Sequence, residues 1–108
     1  MTERGTWKAS ERRMASALGG VRVPVTGRMR GSAPDIAHET YAIEHKYGQR
    51  LLSARLHEAV EQAVATATEQ GGRIPLVTIE EHKPGRRENE CYVLMRLPDF
   101  LELTSVED

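Results

Sequence analysis

Apolar and polar positions follow two different periods along this chain. Over residues 7–18 apolar side chains recur at helical spacing, and Gly19-Gly20 supply a helix end. Ser10 or an earlier residue stands near the start of that helix. Val21, Val23 and Val25 then alternate with Arg22 and Pro24, which predicts a short strand, placed near an edge by its proline. Gly27 to Ala33, reading GRMRGSA, has loop composition. Ile36 and the run Tyr41 to Lys46 predict two more strands, paired as a hairpin. The longest helix is predicted from Ser53, an N-cap, to Gln70, because Leu52, Leu56, Ala59, Val60, Ala63, Val64 and Ala67 form one apolar stripe. Gly71-Gly72 ends it. Ile74 to Ile79 and Cys91 to Leu97 predict strands joined by a charged excursion through Pro84-Gly85, with a short turn from Pro98. The order helix, three strands, helix, two strands predicts one α/β domain over residues 1–108, a mixed central sheet flanked by helices.

Composition narrows the picture. A chain of 108 residues suits one small core, and with five aromatic residues that core falls to Val, Leu, Ile, Ala and Met. Cys91 is the single cysteine, which excludes an internal disulfide framework and a cysteine-based zinc site. It begins an apolar strand and reads as a core residue. No apolar run approaches a membrane span and the N-terminus lacks a signal-peptide stretch, so a cytoplasmic protein with no membrane partner is expected. The formal net charge of -1 argues against a general nucleic-acid coat protein. Its distribution is uneven: residues 1–50 hold nine Lys and Arg against five Asp and Glu, residues 51–108 six against eleven. A polyanion bound at a local patch in the first half fits this asymmetry.

One residue breaks the apolar stripe of the first helix. At about 100° per residue, Trp7, Met14 and Leu18 share one direction, and Glu11 falls between Leu18 and Ala15. A carboxylate facing a core is costly unless it is paired or binds a metal. Two readings stand: Glu11 is a functional acid, or it reaches solvent or pairs with Arg22 or Arg28.

The chemistry concentrates in PDIAHETYAIEHK, residues 34–46. In a strand, Glu44 and Lys46 share one face while Ile43 and His45 take the other. A tight turn over Ala37 to Thr40 folds Asp35 back alongside, so that two carboxylates and an ammonium converge. Metal-assisted phosphodiester hydrolysis needs such a set, with carboxylates for hard divalent cations and a cation to orient water or steady developing charge. Taken alone, Glu-x-Lys also describes a surface ion pair and Pro-Asp a turn. The loop Gly27 to Ser32 reads either as a solvated loop or as a phosphate-contacting one, with guanidinium groups and accessible amides.

The order Glu11, Pro34-Asp35, Glu44-His45-Lys46 resembles the PD-(D/E)xK nuclease superfamily. The stretch ERRMASALGGVRVPVTGRMRGSAPDIAHETYAIEHK more narrowly resembles the archaeal-type Holliday junction resolvases and their phage or bacterial relatives. The resemblance covers about residues 8 to 48; the later helix and strands agree only in order. It implies an αβββαβ nuclease core, Mg2+ or Mn2+ as cofactor, and a homodimer that cuts four-way DNA junctions symmetrically in a bacterial cell or phage-infected host. By position it makes Asp35 and Glu44 the central metal ligands, with Glu11 completing the set and the main-chain carbonyl of His45 a further ligand. Lys46 becomes the catalytic lysine and Ser32 a catalytic loop serine, with Gln62 as a supporting polar residue. Arg22, Arg28 and Arg30 are the candidates for DNA backbone contacts.

Departures from that family's pattern lie in the acidic second half, since its resolvases are longer and more basic. His38, His45, His57 and His82 show no metal-ligand spacing among themselves and read as packing or solvated residues. Val93, Met95, Leu97, Phe100 and Leu101 are candidates for a dimer surface. Two other readings are carried forward: a restriction, repair or nicking nuclease with the same core, and a non-catalytic DNA-binding or interaction domain.

Overall fold

The computed structural model describes residues 3–24 and 35–105, with side chains from residue 6 onward. The chain gathers into two compact units, Met1–Leu51 and Leu52–Asp108, each described by itself.

In the first unit helix α1 runs Glu3–Leu18. Ser10 therefore lies inside the helix and not at its start. The helix ends where glycine permits a left-handed residue: Gly19 has φ 75°. Its amide donates to Ser16 O at 3.3 Å and the Gly20 amide to Ala15 O at 2.8 Å, the paired bonds of a Schellman cap. Strand β1, Val21–Arg22, pairs antiparallel with β2, Ile36–Ala37, placing Val21 opposite Ala37 and Arg22 opposite Ile36. The Val23 amide extends the pairing by donating to Asp35 O at 2.9 Å. Ile36 also forms an isolated antiparallel bridge with Ile43. The hairpin expected over Ile36 and Tyr41 to Lys46 is thus present at that bridge, while residues 44–47 continue without a strand partner among the described residues. α1 packs over β1 and β2. Its most buried residues are Ser10, Glu11 and Ala15, with Ile36 wholly buried beneath them. Trp7, Met14 and Leu18, the apolar stripe, are only half-buried.

In the second unit helix α2 runs Ala54–Glu69, capped by Ser53, whose hydroxyl accepts the Leu56 amide at 3.2 Å. Leu56, Ala59, Val60, Ala63 and Val64 are half-buried and Ala67 buried, which is the expected stripe. Strands β3, Val77–Glu81, and β4, Glu90–Leu94, form an antiparallel hairpin running from the pair Val77 and Leu94 to the pair Glu81 and Glu90. A turn at Lys83 to Arg86 closes the connection, with Gly85 at φ 83°. Near its tip Glu90 accepts from the Tyr92 hydroxyl at 2.6 Å and, with Glu81, pairs with Lys83. Those contacts, Glu90 first, raise the Lys83 pKa above its ordinary value, and the Glu90 bond likewise raises that of Tyr92. Cys91, expected in the core, is exposed, because it stands on the face of the hairpin that it shares with Glu80.

Two expectations change. The run from Pro98 is a helix, α3, Leu97–Thr104, because a proline in the first turn has the φ a helix start needs and loses no bond there. This takes Leu97 out of the strand predicted to reach it. Further, the described strands do not join one central mixed sheet. They form two separate two-stranded antiparallel sheets. For β3 and β4 the short connection keeps the loop-closure cost low. The fold is a small α/β arrangement of three helices and two sheets among the described residues. No described helix is long and apolar enough to cross a membrane.

Gly20 sits where the helix end crosses β2. A Cβ there would lie 2.6 Å from Ala37 O and 2.8 Å from Ile36 Cγ2. Gly20→Ala is expected to destabilise the protein by about 1–3 kcal/mol through overpacking. Gly19→Ala, with open space around its Cβ, should cost only about 1 kcal/mol through its positive φ. Urea unfolding of the two variants ranks them, and equal costs would contradict this packing.

Candidate functional site

The first unit brings together most of the described residues singled out in the sequence. Its centre is a buried ion pair. Glu11, with no exposed surface, accepts from Arg22 Nε at 2.6 Å, and the Arg22 side chain is 16% exposed. The guanidinium lies over the Trp7 ring, 5.8 Å from its centroid. Arg22 Nη2 is buried without a hydrogen-bond partner among the described residues. The pairing of Glu11 with Arg22 that the sequence allowed is present. The same contact leaves the Arg22 side chain mostly covered.

A second connection starts one residue earlier. Buried Ser10 bonds through Oγ to His45 Nε2 at 2.8 Å. The main chain of His45 in turn donates its amide to Asp35 Oδ2 at 2.7 Å, and the Asp35 amide donates to Ile43 O at 3.1 Å. Asp35 thus lies against the segment that carries Glu44 and Lys46. Burial alternates along that segment as strand geometry requires, with Ile43 and His45 half-buried and Glu44 and Lys46 exposed. Ser32, Arg28 and Arg30, and the loop Gly27 to Ala33 as a whole, lie outside the described residues. Gln62 belongs to the second unit, on the wall of an open hollow of about 480 Å³ shared with Ala59, Ala63, Thr66 and Pro75.

The Ser10–His45 bond is the feature that sequence reasoning missed. A serine inside an apolar helical face is a weak signal, and its partner stands 35 positions away. His45 itself was expected to contribute only a main-chain carbonyl.

The donors suit a hard divalent cation in kind, since Asp35 and Glu44 offer carboxylate oxygens on adjoining segments. Glu11 is less suited, being already neutralised by Arg22. Among the described residues no group of three or more His, Cys, Asp and Glu side chains is gathered as a metal site. A cation held by Asp35 and Glu44 would lie toward the exposed edge of this unit.

No protein-family model matches the chain. No curated protein and no solved structure matches it either.

Arg22→Met leaves the Glu11 carboxylate buried without its guanidinium and is expected to cost about 3 kcal/mol. The double variant Glu11→Leu with Arg22→Met should recover most of that loss, because no charge is then left buried. Denaturant unfolding of both variants measures the difference, and a double variant no better than the single one would count against a pair that acts mainly through charge.

Proposed function

We propose that this protein is a metal-dependent DNA endonuclease selective for branched DNA, acting as a homodimer on four-way junctions in the cytoplasm. The observation that carries the reading is the tie between Asp35 and the Glu44-His45-Lys46 segment: the His45 amide on Asp35 Oδ2 at 2.7 Å and the Asp35 amide on Ile43 O at 3.1 Å. It supports a common working edge for the acid of Pro34-Asp35 and the Glu-x-Lys pair. The resemblance to PD-(D/E)xK nucleases adds the order of these residues and the acid Glu11 on the preceding helix.

In this reading Asp35 and Glu44 hold Mg2+ or Mn2+, which supplies charge neutralisation at the phosphate and a more acidic water. The His45 amide fixes the carboxylate of Asp35 in direction. The Ser10–His45 bond sets the height of the segment against α1. Lys46, exposed beside Glu44 in the chain, orients the attacking water or steadies charge on the phosphate. Glu11, paired with Arg22, ties α1 to β1 behind this edge and is the third acid that the resemblance assigns to the metal set. DNA backbone contacts fall to Arg28 and Arg30, with Ser32 in the same loop, and a two-fold dimer presents two equivalent edges to two equivalent strands.

A second reading, a non-catalytic DNA-binding domain, is favoured by the inward pairing of Glu11 with Arg22. Cleavage separates the two. A labelled four-way junction and its matched linear duplex are incubated with Mg2+ or with chelator, for wild type and for Asp35→Asn. The asparagine still accepts the His45 amide, so the substitution removes charge while keeping that bond. Paired Mg2+-dependent cuts in the junction alone, reduced about a hundredfold or more by Asp35→Asn, are the expected outcome. Equal cutting of both substrates would move the assignment to a restriction, repair or nicking nuclease. Junction binding by wild type without any cleavage would establish the non-catalytic reading.

A further inference from the structure

The chain that leaves the Glu44–Lys46 edge runs directly into an open hollow. Its described walls are Thr6, on α1, and Tyr47, Gly48 and Gln49, around a space of about 610 Å³. All four residues belong to the first unit. The volume falls in the range of about 300–1,000 Å³ that small-molecule sites occupy. Tyr47 brings an aromatic ring to the wall, and it is 43% exposed. The chain bends over residues 48–50, and Arg50 has φ 56°, a left-handed conformation that a residue with a side chain seldom takes. Local strain of that kind persists only where the surrounding structure holds it, so the bend that carries Gln49 is a fixed feature of this wall.

The groups in this wall are of two kinds. A tyrosine ring offers a flat apolar face on which another ring can stack. The Gln49 amide offers both a donor and an acceptor, which is what the hydrogen-bonding edge of a nucleobase needs. A ring and an amide alone would also suit a sugar or an apolar side chain. The charges beside them narrow the choice: Lys46 and Arg50, both exposed, stand on either side of Tyr47 to Gln49 in the chain. Two cations flanking a stacking face favour a ligand that carries phosphates on both sides of a ring, as a nucleic-acid strand does. We infer that the hollow takes an unpaired nucleobase of a DNA strand, stacked on Tyr47 and met at its edge by the Gln49 amide. Tyr47 is the residue after Lys46, so its Cα is about 3.8 Å from that of the lysine. A base held here lies beside the phosphate on which Asp35, Glu44 and Lys46 act. That place in the reaction rests on the nuclease reading above, and it makes an unstacked base next to the cut part of what the protein recognises. Base binding itself does not need that reading, nor any bound metal.

Fluorescence anisotropy on the whole protein, in chelator so that nothing is cut, tests the hollow. The probes are a short labelled oligothymidylate and an abasic strand of the same length and charge. Wild type is expected to bind the thymine strand about fivefold to a hundredfold more tightly, the effect of one stacked base. Tyr47→Leu should lose that preference while binding the abasic strand as wild type does, and Tyr47→Trp, which keeps a ring, should retain it. A general loss of structure would weaken both strands together and would leave no such split. Equal binding of the two strands by wild type would overturn the proposal, and so would a preference that survives in Tyr47→Leu. Failure of wild type to bind either strand would overturn it too, and would assign the ring to a ligand without phosphates. The junction assay run beside these keeps the two ideas apart. A base preference without cleavage supports the hollow and counts only against the nuclease; cleavage with equal binding of both strands overturns the hollow alone.

Discussion

A carboxylate with no exposed surface cannot stay charged in a protein interior without a partner, and among the described residues Arg22 pairs with Glu11. Idealised transfer of one such ion out of water costs on the order of 20 kcal/mol, and several kcal/mol even after relaxation. The 2.6 Å contact between Arg22 Nε and Glu11 offsets that penalty. It also fixes geometry. Arg22 is in register with Ile36, the wholly buried residue of β2, so the ion pair sets how α1 lies over the strand from which Asp35 extends. Trp7 covers the guanidinium from the helix side. A hydrophobic pair of similar volume could fill the same space, but it would not dictate which turn of the helix meets which residue of the strand.

From that fixed point a short series of bonds reaches the exposed edge. Ser10 follows Glu11 in facing inward and bonds His45; His45 bonds Asp35; Asp35 bonds Ile43. The segment carrying Glu44 and Lys46 has almost no ladder of its own, and side-chain bonds replace the strand pairing that would ordinarily hold it. Two charged groups are thereby presented to solvent on a backbone anchored from behind.

The second unit rests on different physics. Its helix is amphipathic and its hairpin is closed by a local turn, so its regular structure follows from neighbours in sequence. Ion pairs there are solvent-exposed between Lys83 and the carboxylates of Glu81 and Glu90, while at the start of α3 Arg96 pairs with the buried Asp99. Exposed pairs of this kind add little stability and mainly set side-chain direction. Tyr92, Val93 and Leu103 remain substantially exposed, among them one of the residues proposed for a dimer surface.

Local signals were legible in the sequence because their causes are local. Gly19 ends α1 through its positive φ, Ser53 caps α2 through a hydroxyl three residues from its partner amide, and the alternation at 43–46 follows from the pleat. Glu11 was legible as an anomaly, since a charge in an apolar stripe needs an explanation whatever the fold. The α3 helix was missed because a proline reads as a turn as readily as a helix start. Strand partnership was missed because strands of two residues, like β1 and β2, carry no register signal of their own. What only the tertiary structure decided is which distant groups meet: Arg22 on Glu11, Ser10 on His45, and Asp35 on the His45 amide. Periodicity specifies which face a side chain takes. The partner it finds there depends on how the chain closes over tens of residues, which no single stretch of sequence encodes.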